Sequence, residues 1–81
     1  MSKSKKIKSL LMLKGVKNGD YATALGLARQ QALTTKYARE SFTSDDLIKL
    51  ADLTGTELAF NDKETGKAVV TFDSNDLNDD D

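Results

Sequence analysis

Residues 17–39, KNGDYATALGLARQQALTTKYAR, decide how this chain is read. Tyr21, Ala22 and Leu25 recur at helical spacing, Gly26 interrupts them, and the apolar pair Leu33 and Tyr37 follows at i, i+4. That predicts a helix from Gly19 to Leu25 with Asn18 as its N-cap, a turn at Gly26, and a further helix over residues 28–38. Ala22 is small where two such helices would cross. Gly26, four residues later, permits the positive φ that reverses the chain, and the apolar Leu27 follows it. The pattern is a helix-turn-helix.

With Leu33 and Tyr37 turned inward, helical geometry points Gln31, Thr34 and Thr35 outward, Gln31 and Thr35 lying about 200° to either side of Leu33. These side chains suit base edges: Gln can bond adenine N6 and N7 together, and Thr can bond an edge or touch a thymine methyl. Asn18, Arg29 and Gln30 at the helix starts, with Lys36 and Arg39 on the far side of the third helix, are placed to hold phosphates.

The flanking sequence builds a scaffold. Ile7, Leu10, Leu11 and Lys14 define an amphipathic first helix over Ser4–Lys14, closed by Gly15. Lys3, Lys5, Lys6 and Lys8 crowd its start, where cations oppose the helix dipole, so this end should fray unless an anion meets it. Thr43, with Asp46 three residues on, begins a fourth helix carrying Leu47, Ile48, Leu50, Ala51 and Leu53 and ending at Gly55. Leu10, Leu11, Leu33, Tyr37, Leu47, Ile48 and Leu50 are the expected core. Beyond Gly55 the apolar period falls to two, so residues 56–72 read as a β-hairpin whose Phe60 and Phe72 pack on the helices. Residues 73–81, DSNDLNDDD, hold five Asp and one apolar residue and are expected to form a disordered acidic tail.

Charge is divided along the chain. Residues 1–40 hold nine Lys or Arg against two acids, a balance of +7, and residues 41–81 hold three Lys against eleven acids, a balance of −8. The whole-chain charge of −1 conceals one basic half and one acidic half. The 81 residues suffice for one domain, expected over 1–72, in which folding buries roughly 60% of the chain's surface. Absence of Cys and His excludes disulfides, Cys/His zinc sites, thiol nucleophiles and imidazole acid–base chemistry. No paired acid–base arrangement or EF-hand spacing stands out, so neither an enzyme, a metal site nor a cofactor is expected. The longest apolar run, LLML at 10–13, is far shorter than the about 20 residues that span a bilayer. No signal-peptide cleavage site follows it, and a cytoplasmic location is expected.

The stretch LLMLKGVKNGDYATALGLARQQAL, continued by SFTSDDLIKLADLTGTELAF, resembles the small phage Cro/repressor-type (XRE-like) proteins of Gram-positive bacteria, phages and plasmids. The resemblance spans roughly residues 7–72 and is most specific at Gly26-Leu27 and at Asp46–Ala51. It implies a mainly α, lambda-repressor-like bundle of four to five helices with the C-terminal hairpin appended. It also implies a homodimeric, sequence-specific binder of duplex DNA, a repressor or copy-control factor reading the major groove with helix 28–38. Two departures stand out. Ala28 occupies a position usually held by Ser or Thr, and seven residues rather than six separate Gly26 from Leu33. Either the turn is longer at Arg29-Gln30-Gln31, or Ala32 takes the anchor position with Leu33 rotated.

The rival reading keeps the fold and changes the partner. A helix-turn-helix shape also occurs in proteins that never touch DNA. On that reading the acidic C-terminal half or the hairpin engages another protein, as a phage-type inhibitor or a partner-dependent regulator would.

Overall fold

Tyr21 and Leu33 are the largest side chains wholly withdrawn from solvent, and the helices assemble around them. A computed structural model describes residues 2–78. Its elements are α1 (Lys3–Leu13), α2 (Asn18–Ala24), α3 (Gln30–Arg39) and α4 (Ser44–Thr54), followed by strands β1 (Leu58–Asn61) and β2 (Ala68–Phe72). The protein is mostly helical, with four helices and one antiparallel hairpin. Ile7, Leu11, Tyr21, Ala22, Leu33, Tyr37 and Leu50 form the core, with Leu10, Val16, Leu25, Leu27, Phe42, Leu47 and Leu53 packed half-buried against it. Leu10 and Leu47, expected in the core, thus lie at its margin.

The N-terminus of α1 is not left to fray. Ser2 caps it, accepting from the Lys5 N–H, and the Glu40 carboxylate accepts from the Ser4 N–H at 3.4 Å. The Ser4 hydroxyl, buried, donates to the Tyr37 carbonyl at 2.6 Å. Glu40 is thus the anion that the Lys-rich helix start requires. It ends α3 with φ 53°, the one positive value outside glycine among the described residues. Such a conformation costs a non-glycine residue about 1–2 kcal/mol, offset here by contacts to α1.

α2 begins one residue earlier than the sequence suggests. Lys17 takes the cap position without a side-chain bond, and Asn18 is the first helical residue. The Asn18 oxygen accepts instead from the Tyr37 hydroxyl at 3.0 Å, a partner far off in sequence that outcompetes the local cap. At the other end Gly26 adopts φ 73° and the Leu27 N–H reaches the Ala22 carbonyl at 3.0 Å, the reversal expected of this turn. α3 starts at Gln30 rather than Ala28, because Arg29 is extended (φ −140°, ψ 145°). The extra residue therefore lies in the turn. Leu33 is 1% exposed while Ala32 faces solvent, so Leu33 is the anchor.

α4 carries the expected capping box. The Thr43 hydroxyl accepts from the Asp46 N–H at 3.1 Å, and the Asp46 carboxylate accepts from the Thr43 N–H at 3.0 Å. Ile48, Leu50 and Ala51 are buried. In the hairpin, Leu58 pairs with Phe72 and Phe60 with Val70, placing all four on one face. A bulge follows, where Asn61 pairs with Ala68 and Val69 is the extra residue.

Two expectations about the C-terminal third are corrected. Phe60 does not pack on the helices: it is 69% exposed and meets Phe72 edge-on at 6.0 Å. With Leu47, Leu58 and Phe72 it borders an open apolar gap between α4 and the hairpin rather than filling it. Residues 73–78 are not an unstructured tail. Ser74–Asp76 form a single 3-10 turn, with Asp73 accepting from the Asn75 N–H and Asp76 from the Asp73 N–H, each at 2.9 Å. The Asn78 N–H then donates to Asp45 of α4 at 3.0 Å. Aspartates counted as net charge thus act as local backbone acceptors. Asp79, Asp80 and Asp81 lie outside the described residues.

Candidate nucleic-acid interface

α3 divides its surface cleanly. Leu33 and Tyr37 are buried, while Gln30, Gln31, Ala32, Thr34, Thr35, Ala38 and Arg39 are exposed. Gln31 and Thr35 form one row with i, i+4 spacing, and Gln30 and Thr34 form the next. Each Thr hydroxyl back-bonds one turn up, Thr35 to the Gln31 carbonyl at 3.1 Å and Thr34 to the Gln30 carbonyl at 3.4 Å. Both oxygens keep lone pairs for an incoming donor. α3 contains no acidic residue.

The two rows border different depressions. Gln31 and Thr35, with Ala28, Arg29 and Ala32, line a shallow surface on the outer flank. Gln30 and Thr34, with Lys8, Asn18 and Ala38, rim a cleft of about 340 Å³ floored by Leu33 and Tyr37. The Gln30 amide nitrogen lies over Gly19, where an added Cβ would come within 2.6 Å of it and displace only the end of this exposed side chain.

Of the expected phosphate contacts, Asn18, Arg29, Gln30 and Arg39 are exposed around this face. Lys36 is different. Its ammonium turns inward to the Asp46 carboxylate at 2.8 Å and lies 3.5 Å from the Ser41 carbonyl, the side chain being 23% exposed. It lies about 100° from Tyr37 around the helix, on the side that meets α4. Its charge is thereby paired with Asp46 within the fold, unlike the other cations of this face. This is the only salt bridge among the described residues, so no ion pair there engages Lys3, Lys5, Lys6, Lys8, Arg29 or Arg39.

The sequence reading missed what stands behind the cleft. The Lys8 ammonium lies 4.7 Å over the Tyr37 ring. Burial pushes the Tyr37 hydroxyl above its ordinary value of 10.0, so it remains a donor near neutrality. Because it donates to the Asn18 oxygen, the Asn18 NH₂ keeps both its donors for other partners. No signal in the sequence pairs Lys8 with Tyr37: Ser4, one turn before Lys8 on α1, meets the Tyr37 carbonyl only through the tertiary fold.

No helix among the described residues is long and apolar enough to cross a membrane, and no group of three or more acidic side chains there could hold a metal ion. Comparison of the chain with family profiles, curated proteins and solved structures finds no match.

Proposed function

We propose that this chain is a sequence-specific duplex-DNA-binding regulator on a lambda-repressor-like helix-turn-helix fold, with α3 as the element that enters the major groove. The observation that carries the reading is the exposed face of α3. Gln31, Thr34 and Thr35 stand opposite buried Leu33 and Tyr37, flanked by exposed Arg29 and Arg39 and free of acidic side chains. Gln31, Thr34 and Thr35 contact bases. Asn18, Gln30, Arg29 and Arg39 contact phosphates. The regulator acts in the cytoplasm as a repressor or copy-control factor.

One small domain makes few phosphate contacts, so a two-fold dimer on a palindromic site is part of the proposal. Exposed Phe60, Val69 and Val70, at 69%, 68% and 49%, support the hairpin as the dimer surface.

The test is selection of bound sequences from a random duplex pool, followed by gel shifts from about 50 to 200 mM salt. An enriched palindrome whose affinity falls steeply with salt supports the proposal. Absence of duplex binding at the lowest salt rejects it. It would also favour the second reading, a protein-interaction module. An apolar cavity of about 370 Å³ between α4 and the hairpin, lined by Leu47, Leu58, Phe60 and Phe72, supports that alternative.

A further inference from the structure

We propose that Lys8, seated on the Tyr37 ring, anchors a phosphodiester group in the cleft between α1, α2 and α3, and that Tyr37 is a positioning residue for that contact. This rests on the DNA-binding reading and adds α1 to the surface that meets the nucleic acid.

Three observations converge on the cleft. First, Lys8, Asn18 and Gln30 supply the donors on its rim, an ammonium and two carboxamides, and no carboxylate lines it; the Thr34 hydroxyl beside them donates to the Gln30 carbonyl. That donor set fits a singly charged phosphate and rejects a cation. Second, the Tyr37 ring holds the Lys8 ammonium in place at 4.7 Å. The ring face attracts the cation without neutralising it, unlike the carboxylate that engages Lys36. The long Lys side chain is thereby partly ordered before the ligand arrives, which lowers the entropy lost on binding. Third, the Tyr37 hydroxyl occupies the Asn18 oxygen at 3.0 Å, so that the amide of Asn18 can present only its NH₂ to an incoming anion. A single buried tyrosine thus orients a charge with its ring and an amide with its hydroxyl.

The location suits a backbone contact. Gln30 and Thr34 on the rim belong to the row beside Gln31 and Thr35. A duplex lying against the Gln31–Thr35 row therefore brings one strand's phosphates alongside the cleft. The Lys8 contact is sequence-independent: it adds affinity for every duplex and one charge to the salt dependence.

The experiment measures affinity against salt for a random-sequence duplex with the full chain, Lys8→Gln, Lys8→Arg and Tyr37→Phe. Lys8→Gln is expected to lower the slope of log affinity against log salt by roughly 0.9 and to weaken all sequences alike, with Lys8→Arg restoring the slope. Tyr37→Phe keeps the ring and loses the hydroxyl. It is expected to leave the slope unchanged, to weaken binding and to shift the Asn18 side-chain amide resonances. An unchanged slope in Lys8→Gln, with wild-type binding intact, overturns the inference and leaves the DNA reading standing. If the wild type binds no duplex, titration with inorganic phosphate decides. Shifts at the Asn18 and Gln30 side-chain amides that vanish in Lys8→Gln establish the subsite for a free phosphate ligand while the DNA reading fails. No shift ends both.

Discussion

The Lys36 ammonium stands 2.8 Å from the Asp46 carboxylate, joining α3 to the first turn of α4. The same carboxylate oxygen accepts from the Thr43 N–H, and the Asp46 carbonyl accepts from the Tyr21 hydroxyl at 2.9 Å. Three helices therefore meet at one residue. Asp46 fixes where α3 sits relative to α2 and so how its exposed face is presented.

That convergence makes the two partners unequal. Asp46→Ala removes one arm of the capping box and the counter-charge of Lys36, and should cost about 1–3 kcal/mol in urea unfolding. Lys36→Met should cost less, about 1 kcal/mol or under, because the pair is partly exposed and the cap survives. Equal losses would show that the ion pair alone, rather than the cap, holds the junction.

The anchor of α3 gives a second prediction. Leu33→Ala opens a cavity in the core and should destabilise the fold by about 2–5 kcal/mol. Ala32→Ser, on the exposed side, should change stability by about 0.5 kcal/mol or less. Denaturant midpoints of the two variants would show the contrast. Comparable effects would mean that α3 is rotated from the placement described.

The spacing from Gly26 to Leu33 shows where sequence reading succeeds and where it stops. Apolar periodicity located four helices and a hairpin, because burial is what fixes helices this short. Periodicity could not decide between a longer turn and a rotated helix, since both keep an apolar residue inside. The decision came from Arg29, whose extended backbone absorbs the extra residue. Asn18 was misassigned for a related reason. Its local capping propensity is real, but the Tyr37 hydroxyl competes for the same oxygen and is invisible to local pattern. Composition likewise made residues 73–78 a tail, because it counts the charge of Asp73 and Asp76 and not their backbone hydrogen bonds. The Gln31, Thr34 and Thr35 face was legible from helical geometry alone. The Lys8–Tyr37 contact required the tertiary fold.

Alkaline pH should unfold the protein through its tyrosines. Burial raises the Tyr21 hydroxyl, with the nearby Asp46 adding to the effect, and burial raises that of Tyr37. A raised folded value means stability is fully present below the ordinary value of 10.0 and declines as pH rises through it toward the folded values. Denaturant midpoints measured across the alkaline range should fall from about that pH onward, and Tyr21→Phe should flatten the decline. A midpoint independent of pH there would mean that the hydroxyls ionise without unfolding.

At the acid end Glu40 should be felt. Hydrogen bonds from the Ser2 hydroxyl and then from the Ser4 N–H lower its carboxyl below the ordinary 4.5. A lowered folded value contributes stability that is present above the ordinary range and is lost as pH falls through the folded value. Glu40→Gln should remove that portion of the pH dependence and increase amide exchange in the first turn of α1. Exchange at Lys3–Lys6 unchanged by the substitution would show that Ser2 alone holds the helix start.

The hairpin yields the last prediction. Phe60, Val69 and Val70 are exposed in a hairpin whose strands pair only with each other. Two strands alone are marginal in water, so a second copy covering this surface would supply the burial the hairpin lacks. Phe60→Lys removes exposed apolar area at the edge of the gap between α4 and the hairpin and adds a charge, while touching little of the core. It should leave monomer stability within about 0.5 kcal/mol and raise the dimer dissociation constant by an order of magnitude or more. Sedimentation of wild type and variant at equal concentration reads both species directly. On a palindromic duplex the variant should lose cooperativity while keeping its half-site preference, because α3 is unaltered. A wild type that stays monomeric both free and on DNA would place the dimer surface elsewhere or remove it from the mechanism.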